Sequence, residues 1–249
     1  MPQDTWAFYD RQYAQHGQYG GAQLDSSAHY PDGDPEAHFE EIVFNLGAPA
    51  KVLLDIGSGS GGFTLSLAPY YEQIIGIEPS DLIQKAIEQQ REMEIQNVDF
   101  QRQNGYHTTF ADRSFDVIIS RRGPYPQAEI DRLLRSGGHF VHITIGYEDA
   151  RSLKDVFGRG QMFDKRGSSL DWHNRNLQER GYQVHLLKDF LYDEYYETIS
   201  DLDTFLMRVP IFEDYSAEDR ALLKQYAGNN TTTQGIWMGR HRYLIHVTK

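Results

Sequence analysis

The sequence predicts a doubly wound α/β fold, a mostly parallel seven-stranded sheet with helical cap insertions, and three observations carry that prediction. Short apolar runs such as Lys51–Ile56 (KVLLDI) and Phe115–Ser120 (FDVIIS) have the pattern of strands buried on both faces. Segments with helical periodicity stand between them, so strands and helices alternate as they do in parallel sheets covered on both sides. A glycine-rich turn, Gly57–Gly62, follows the first of these strands directly and opens a helix.

The elements follow in order. A weakly periodic stretch to about Asp34 is rich in Tyr, Gln, Gly and His and holds one helix candidate, Thr5–Gln15. A second helix candidate, about Pro35–Asn45, has Phe39, Ile42, Val43 and Leu46 at helical spacing. Phe63–Tyr70 reads as a helix and Gln73–Ile77 as the second strand of the alternation. Ser80 is placed to cap a helix whose apolar face is Leu82, Ile83, Ala86 and Ile87. Val98–Arg102 and Phe115–Ser120 are the next strands. A helix around Gln127–Leu134, stopped by Gly137-Gly138, leads into the strand His139–Ile145. Further on, Asp171–Arg180 reads as helix, Val184–Tyr192 as a sixth strand and Tyr243–Val247 as a closing one. Between those two strands come helix candidates at Leu202–Met207 and Ala217–Tyr226, then a loop at Asn229–Thr233. A connection of that length with its own helices suits a substrate-side cap. The expected organisation is an N-terminal helical arm or lid over residues 1–46, then a main domain over 47–249 with a cap insertion at about 199–240.

The composition narrows the function classes. A formal net charge of −12 argues against a phosphate-gripping nucleic-acid protein, which wants a basic face. With no cysteine there is neither a disulfide framework nor a thiolate zinc site. No apolar run reaches the length of a bilayer span, and Met1–Asp10 lacks a signal-peptide pattern, so a cytoplasmic protein is expected. No metal-ligand spacing stands out. His139 and His142 are three apart on a strand, which sends their side chains to opposite faces.

The sharpest chemical signal is Leu54-Asp55-Ile56-Gly57-Ser58-Gly59-Ser60-Gly61-Gly62. Glycines there let the chain turn tightly and let a ligand approach the backbone, and the free N–H groups of the helix start favour a negative group. Gly57, Gly59 and Gly62 also satisfy the dinucleotide fingerprint G-x-G-x-x-G, so the loop alone leaves two cofactors open. Glu78, at the end of the second strand, is where nucleoside-binding folds place an acceptor for ribose hydroxyls. Asp55 weighs against a dinucleotide, because a carboxylate facing a pyrophosphate is repulsive.

Together these residues resemble the class I S-adenosylmethionine-dependent methyltransferases. The resemblance covers about Val52–Gly146, with a weaker match at Arg242–Lys249. It implies S-adenosylmethionine as cofactor, with Asp55, Gly57, Ser58, Gly59 and Gly61 around its methionine part. Glu78 and Pro79 would lie at the ribose, and Asn104-Gly105 beside the adenine. The family's strand-four motif matches Asp116–Ser120, which puts Ser120 at the cofactor, and the turn before strand five matches Leu134–Gly138. The acceptor implied is most simply a small molecule, the alternatives being RNA, a protein, or no acceptor at all in a silent cofactor-binding module. Substrate-side candidates are Arg121 and Arg122, just past a strand end, and Tyr9, Tyr13 and Tyr19 in the arm. Arg240, His241 and Arg242 stand just before the closing strand, where a surface position for His241 is expected. No residue type or spacing identifies a catalytic base or an oligomeric state.

Overall fold

The computed structural model describes residue 10 and residues 25–163 and 169–249. The helix candidate Thr5–Gln15, with Tyr9 and Tyr13, and Tyr19 beyond it, therefore lie outside the described residues except for Asp10. That residue's Oδ1 accepts a hydrogen bond from Asp81 N at 2.8 Å.

The strands are β1 (Ser26–His29), β2 (Ala48–Ile56), β3 (Tyr71–Ile77), β4 (Val98–Gln101), β5 (Phe115–Arg121), β6 (Leu134–Ile145), β7 (Gln183–Tyr196), β8 (Thr231–Thr232) and β9 (Gly235–Thr248). They form one sheet in the order β1-β7-β9-β6-β5-β2-β3-β4, with β8 paired to β9. The chain starts at β2, winds outward through β3 and β4, then returns past β2 to β5 and β6. All of those pairings are parallel, whereas β9 runs antiparallel between β6 and β7. The expected mostly parallel doubly wound sheet is present with nine strands instead of seven. The two additional ones, β1 and β8, are short pieces whose polar sequences SSAH and TT carry no apolar alternation.

The helices are α1 (Pro35–Leu46), α2 (Gly62–Ser66), α3 (Leu82–Glu92), α4 (Gln127–Leu133), α5 (Arg151–Phe157), α6 (Leu170–Glu179), α7 (Ile199–Arg208) and α8 (Arg220–Asn230). The strand sequences are apolar at successive positions because both faces are covered. Leu53, Val117, Val141 and Leu244 face one layer with Phe39 and Val43 of α1 and Ile83 and Ala86 of α3. Their neighbours Leu54, Ile118, Phe140 and Ile245 face the other, with Ile130 and Leu133 of α4 and Leu177 of α6. α1 is thus part of the main core. A third cluster is built by α5, α7 and α8 against the far ends of β7 and β9, around Tyr196, Phe212, Tyr226 and Met238.

Several local expectations are corrected. The helix expected over Phe63–Tyr70 ends at Ser66, and Ala68–Tyr70 is a 3-10 turn, because Pro69 has no N–H to continue the α pattern. Ser80 does not cap α3. It is fully buried, its hydroxyl has no partner, and the cap position is Asp81, whose side chain makes no capping bond. Gly137-Gly138 do not stop α4, which ends at Leu133 as Leu134 turns extended. The glycine pair instead forms a turn that holds the end of the chain, through Gly137 N to Lys249 O (2.8 Å) and Lys249 N to Gly138 O (3.0 Å). Asn229 and Asn230 close α8 and Thr231-Thr232 form β8, so the expected loop is a hairpin arm.

β7 and β9 are each 14 residues long. β6 pairs with β9 only from Arg242 onward, so Ile236–His241 continue as a ribbon with β7 beyond the central sheet. That ribbon carries the third cluster over the carboxyl ends of the parallel strands. This is the edge at which ligands bind in open α/β sheets, at the point where the winding reverses between β2 and β5. Among the described residues no helix is long and apolar enough to cross a membrane.

Candidate active site

A cavity of about 800 Å³ lies at that switch point, between the glycine loop and the third cluster. That is room for a cofactor and a small acceptor together. The sequence-predicted residues Asp55, Gly57, Ser58, Gly59, Glu78, Pro79, Asn104 and Gly105 all line it.

The loop after β2 turns through positive φ at Gly57 (83°), Gly59 (56°) and Gly61 (79°), a path that side-chain-bearing residues take at a cost. Gly57 N and Ser58 N donate to Ile77 O at 2.9 and 3.1 Å, which ties the loop to the end of β3. A Cβ at Gly59 would meet nothing within 4 Å, so its backbone faces open space. Gly61 does not line the cavity. It lies against α3 and β4, where a Cβ would come within 2.7 Å of Ala86 and 2.6 Å of Phe100. Its role is to let the loop pack close to the core.

Glu78 is 8% exposed and uses both carboxylate oxygens, Oε2 accepting from Gly59 N (3.2 Å) and Oε1 from Ser80 N (2.9 Å). Asp55 is buried, and Thr64 Oγ1 donates to its Oδ2 at 2.6 Å. Burial pushes the Asp55 carboxyl up to about 6, against the lowering pull of the Thr64 hydrogen bond and of Arg121. Ser58 Oγ lines the cavity, is buried and has no hydrogen-bond partner. Asn104 Oδ1 accepts from Tyr106 N at 3.0 Å and so shapes the loop that carries Gly105. Ser120 does not line the cavity: it is fully buried and its hydroxyl donates to Pro124 O at 2.9 Å.

Arg121 and Arg122 reach the cavity wall but are engaged with acids. Arg121 Nε donates to Glu36 Oε2 (2.6 Å), its Nη2 lies 2.9 Å from Glu40 Oε1, and its guanidinium sits over the Phe63 ring. Arg122 Nε is 3.5 Å from Glu36 Oε1. Burial would raise the Glu36 carboxyl, and the two arginines outweigh it and hold the group low.

The far half of the cavity is built from residues that sequence reasoning did not assign to a site. Tyr125 stacks on His142 (centroids 5.2 Å apart, 20°), and His173 lies 6.1 Å from the same ring. His142 Nδ1 is 2.9 Å from Ser120 O. A carbonyl only accepts, so Nδ1 carries the hydrogen and Nε2 is the acceptor nitrogen. Burial lowers the pKa of both His142 and His173 to about 4, so both rings are neutral at pH 7. Both ring nitrogens of His173 are buried without a hydrogen-bond partner.

Beneath the cap, Asp149 is 1% exposed and a single oxygen, Oδ1, accepts from Arg240 Nε (2.8 Å), Arg242 Nη1 (2.6 Å) and His241 N (3.1 Å). Arg240 also pairs with Glu194. Burial opposes ionisation of Asp149, but Arg240 and Arg242 prevail and hold its carboxyl well below the usual range. His241 is 5% exposed and packed on Tyr243, not at the surface, and its Nδ1 accepts from Glu148 N at 3.1 Å. The physical reason is the ribbon. Residues 240–242 lie in the middle of a long strand, between β7 and the loop after β6.

Residues 54–142 match the family model described as a methyltransferase domain. Over 97 residues the chain is 30% identical to an uncharacterized methyltransferase, YcgJ, of Bacillus subtilis (strain 168). That alignment covers 36% of this chain and 38% of the relative, so it spans well under half of either. In three dimensions the crystal structure of YcgJ aligns with a TM-score of 0.64 at 18% identity, over 86% of this chain and 98% of that one. A geranyl diphosphate C-methyltransferase of Streptomyces coelicolor A3(2), crystallised with Mg2+, geranyl diphosphate and S-adenosyl-L-homocysteine, gives 0.58 at 15% identity, over 100% and 98%. The [4+2]-cyclase SpnF gives 0.61 at 17%, over 98% and 94%. At such identities the structural likenesses establish the fold, and the sequence match covers the glycine loop, β3 and β5. Over residues 54–142 this chain matches a methyltransferase domain.

Proposed function

We propose that the protein transfers a methyl group from S-adenosylmethionine to a small organic acceptor held beneath the cap. The observation that carries this reading is the single cavity that runs from the glycine loop to Tyr125, His142 and His173. Its near half suits the cofactor: an open backbone face at Gly59, an unpartnered Ser58 hydroxyl, and the carboxyls of Asp55 and Glu78. When bound, the cofactor supplies an activated sulfonium methyl, so the chain has to align the acceptor and exclude water. The far half supplies orientation. His142 presents a neutral acceptor nitrogen and His173 two unmet ring nitrogens, which suit an acceptor bearing a hydroxyl or amine. Rings with pKa near 4 are weak bases, so their part is to position the acceptor through hydrogen bonds.

The division of labour we propose is a methyltransferase domain from 47 and a cap at about 199–240; of the expected arm over residues 1–46, α1 packs in the main core, and the cap draws α5 into its own cluster. Pairing of Arg121, Arg122, Arg240 and Arg242 with Glu36, Asp149 and Glu194 leaves no basic face at the cavity mouth among the described residues, which favours a small acceptor over RNA.

The test is methyl incorporation from labelled S-adenosylmethionine into a metabolite extract, bulk RNA and bulk protein in parallel. Label in the metabolite fraction is expected, and label confined to RNA or protein overturns the acceptor class. A second reading is cofactor binding without methyl transfer, since a [4+2]-cyclase shares this fold and the fold by itself does not imply the transfer. Tight S-adenosylmethionine binding with no label in any fraction would establish it.

One pH dependence follows from Asp55. The ionised carboxyl is what attracts the cofactor's ammonium group, and ionisation is incomplete below the raised pKa of about 6. Affinity for S-adenosylhomocysteine is therefore expected to rise from pH 5 to pH 7 and level off above. In Asp55→Asn it should be weaker and flat over that range. Calorimetric titration at four pH values checks this, and a wild-type profile as flat as the variant's rejects the contact.

A further inference from the structure

The odd spacing that separates His139 from His142 sends His139 to the face away from the Tyr125 stack, where it finds partners on two other strands. His139 is on β6, His246 on β9 and His185 at the irregular step of β7 between Val184 and Leu186. Each offers one ring nitrogen, and the three nitrogens lie within 4.8 Å of one another. His139 Nδ1 and His246 Nε2 are 3.1 Å apart. Thr248 Oγ1 joins the group, 3.2 Å from His139 Nδ1 and 2.5 Å from His185 Nε2. The cluster is at the amino end of the paired part of β6, six residues or about 20 Å along the strand from Ile145 at the cavity edge.

We infer that His139, His185 and His246 form a binding site for a divalent transition-metal ion of the zinc class, separate from the methyl-transfer cavity. Three imidazoles with room for water as a fourth ligand are a donor set that suits Zn2+, Ni2+ and Cu2+, and does not suit Mg2+ or Ca2+. Nitrogens bound to one zinc at about 2.0–2.1 Å stand roughly 3.4 Å apart in a tetrahedral site. The His139–His246 pair is already near that separation, and His185, which is exposed, closes the remainder by side-chain rotation. The shared hydrogen between His139 and His246 moves to the outer nitrogen of the ring that donated it, so both inner lone pairs face the ion.

Lys51, a cation whose charge acts on His139, donates its Nζ to Leu46 O at 2.8 Å. An ion at the histidine cluster would join β6, β7 and β9 at the end opposite the cap, and by linkage would raise the melting temperature.

The full chain titrated with Co2+ and with Zn2+ should take up one ion, and the Co2+ form should show the ligand-field absorption of a nitrogen-bound ion. His185→Ala and His246→Ala should each weaken binding by more than about tenfold, while His29→Ala, whose side chain is 66% exposed elsewhere on the surface, should not. His185 is exposed, so its removal leaves the fold intact, and S-adenosylhomocysteine affinity should be unchanged in that variant. No ion uptake, or uptake of equal affinity in His185→Ala, overturns the site. Neither result touches the cofactor assignment, which the nucleoside titration reads separately.

Discussion

Replacing Glu78 with alanine is expected to weaken S-adenosylhomocysteine binding by at least about 100-fold, roughly 3 kcal/mol at the value of charge-assisted hydrogen bonds. The carboxylate acts twice. It faces the cavity as the acidic group at the end of β3, and its two oxygens hold the backbone N–H groups of Gly59 and Ser80. Loss of the side chain leaves those donors unmet at a position only 8% exposed, and frees the glycine loop. Glu78→Gln separates the two roles. One oxygen still accepts from Gly59, but an NH2 group now faces Ser80 N or the ribose, so an intermediate loss is expected. Calorimetry on wild type and both variants, with melting curves to confirm folding, is the measurement. Equal affinity in wild type and Glu78→Ala would remove Glu78 from the cofactor site.

The near half of this cavity was legible in the sequence because it is local. Asp55, the glycines and Glu78 fall within two successive strand ends, and strand–turn–helix order is written in the apolar runs KVLLDI and QIIGI. Two predicted members do not line the cavity, for reasons that only packing shows. Gly61 serves the contact with Ala86 and Phe100, and Ser120 turns to the Pro124 carbonyl. The far half was not legible. Tyr125, His142, His173, Asp149 and Arg240 come from five separate parts of the chain, and no spacing along it brings them together. The same holds for His139, His185 and His246. Strand period was read correctly within β6, but the pairing of β9 between β6 and β7 is a tertiary choice. The polar hairpin Asn229–Thr233 was read as loop because helix α8 runs into Gly228-Asn229-Asn230, residues with poor helix propensity that the cap cluster holds in place through Tyr226 and Ala227.

Asp149→Asn is expected to cost about 3–5 kcal/mol of stability, the range for breaking a buried ion pair by removing one partner, and to lower the melting temperature by roughly 6–20 °C. The reason is an imbalance of charge in a place without water. Arg240 and Arg242 are 5% and 3% exposed, and both direct a guanidinium N–H to Asp149 Oδ1. With the negative charge gone, Arg240 retains Glu194, but Arg242 loses its ion pair with Asp149, and its Nε is already buried without a partner. Lys154, 2% exposed, adds a third cation to the same pocket of charge. The pH dependence gives the mechanism a signature. The folded-state pKa of Asp149 is depressed, so its contribution is complete above the unfolded pKa of about 4 and is lost as pH falls toward the folded value. Wild type and Asp149→Asn should therefore differ most at pH 6–8 and converge as the solution is taken below about pH 4. A parallel loss at every pH would assign the effect to shape, and a melting temperature within 2 °C of wild type at pH 7 would show that the arginines need no counter-charge. Because Asp149 also lines the acceptor half of the cavity, the same variant tests whether this buried ion cluster holds the cap over the methyl acceptor. Methyl transfer should fall further than S-adenosylhomocysteine affinity, since the glycine loop and Glu78 are built on other strands.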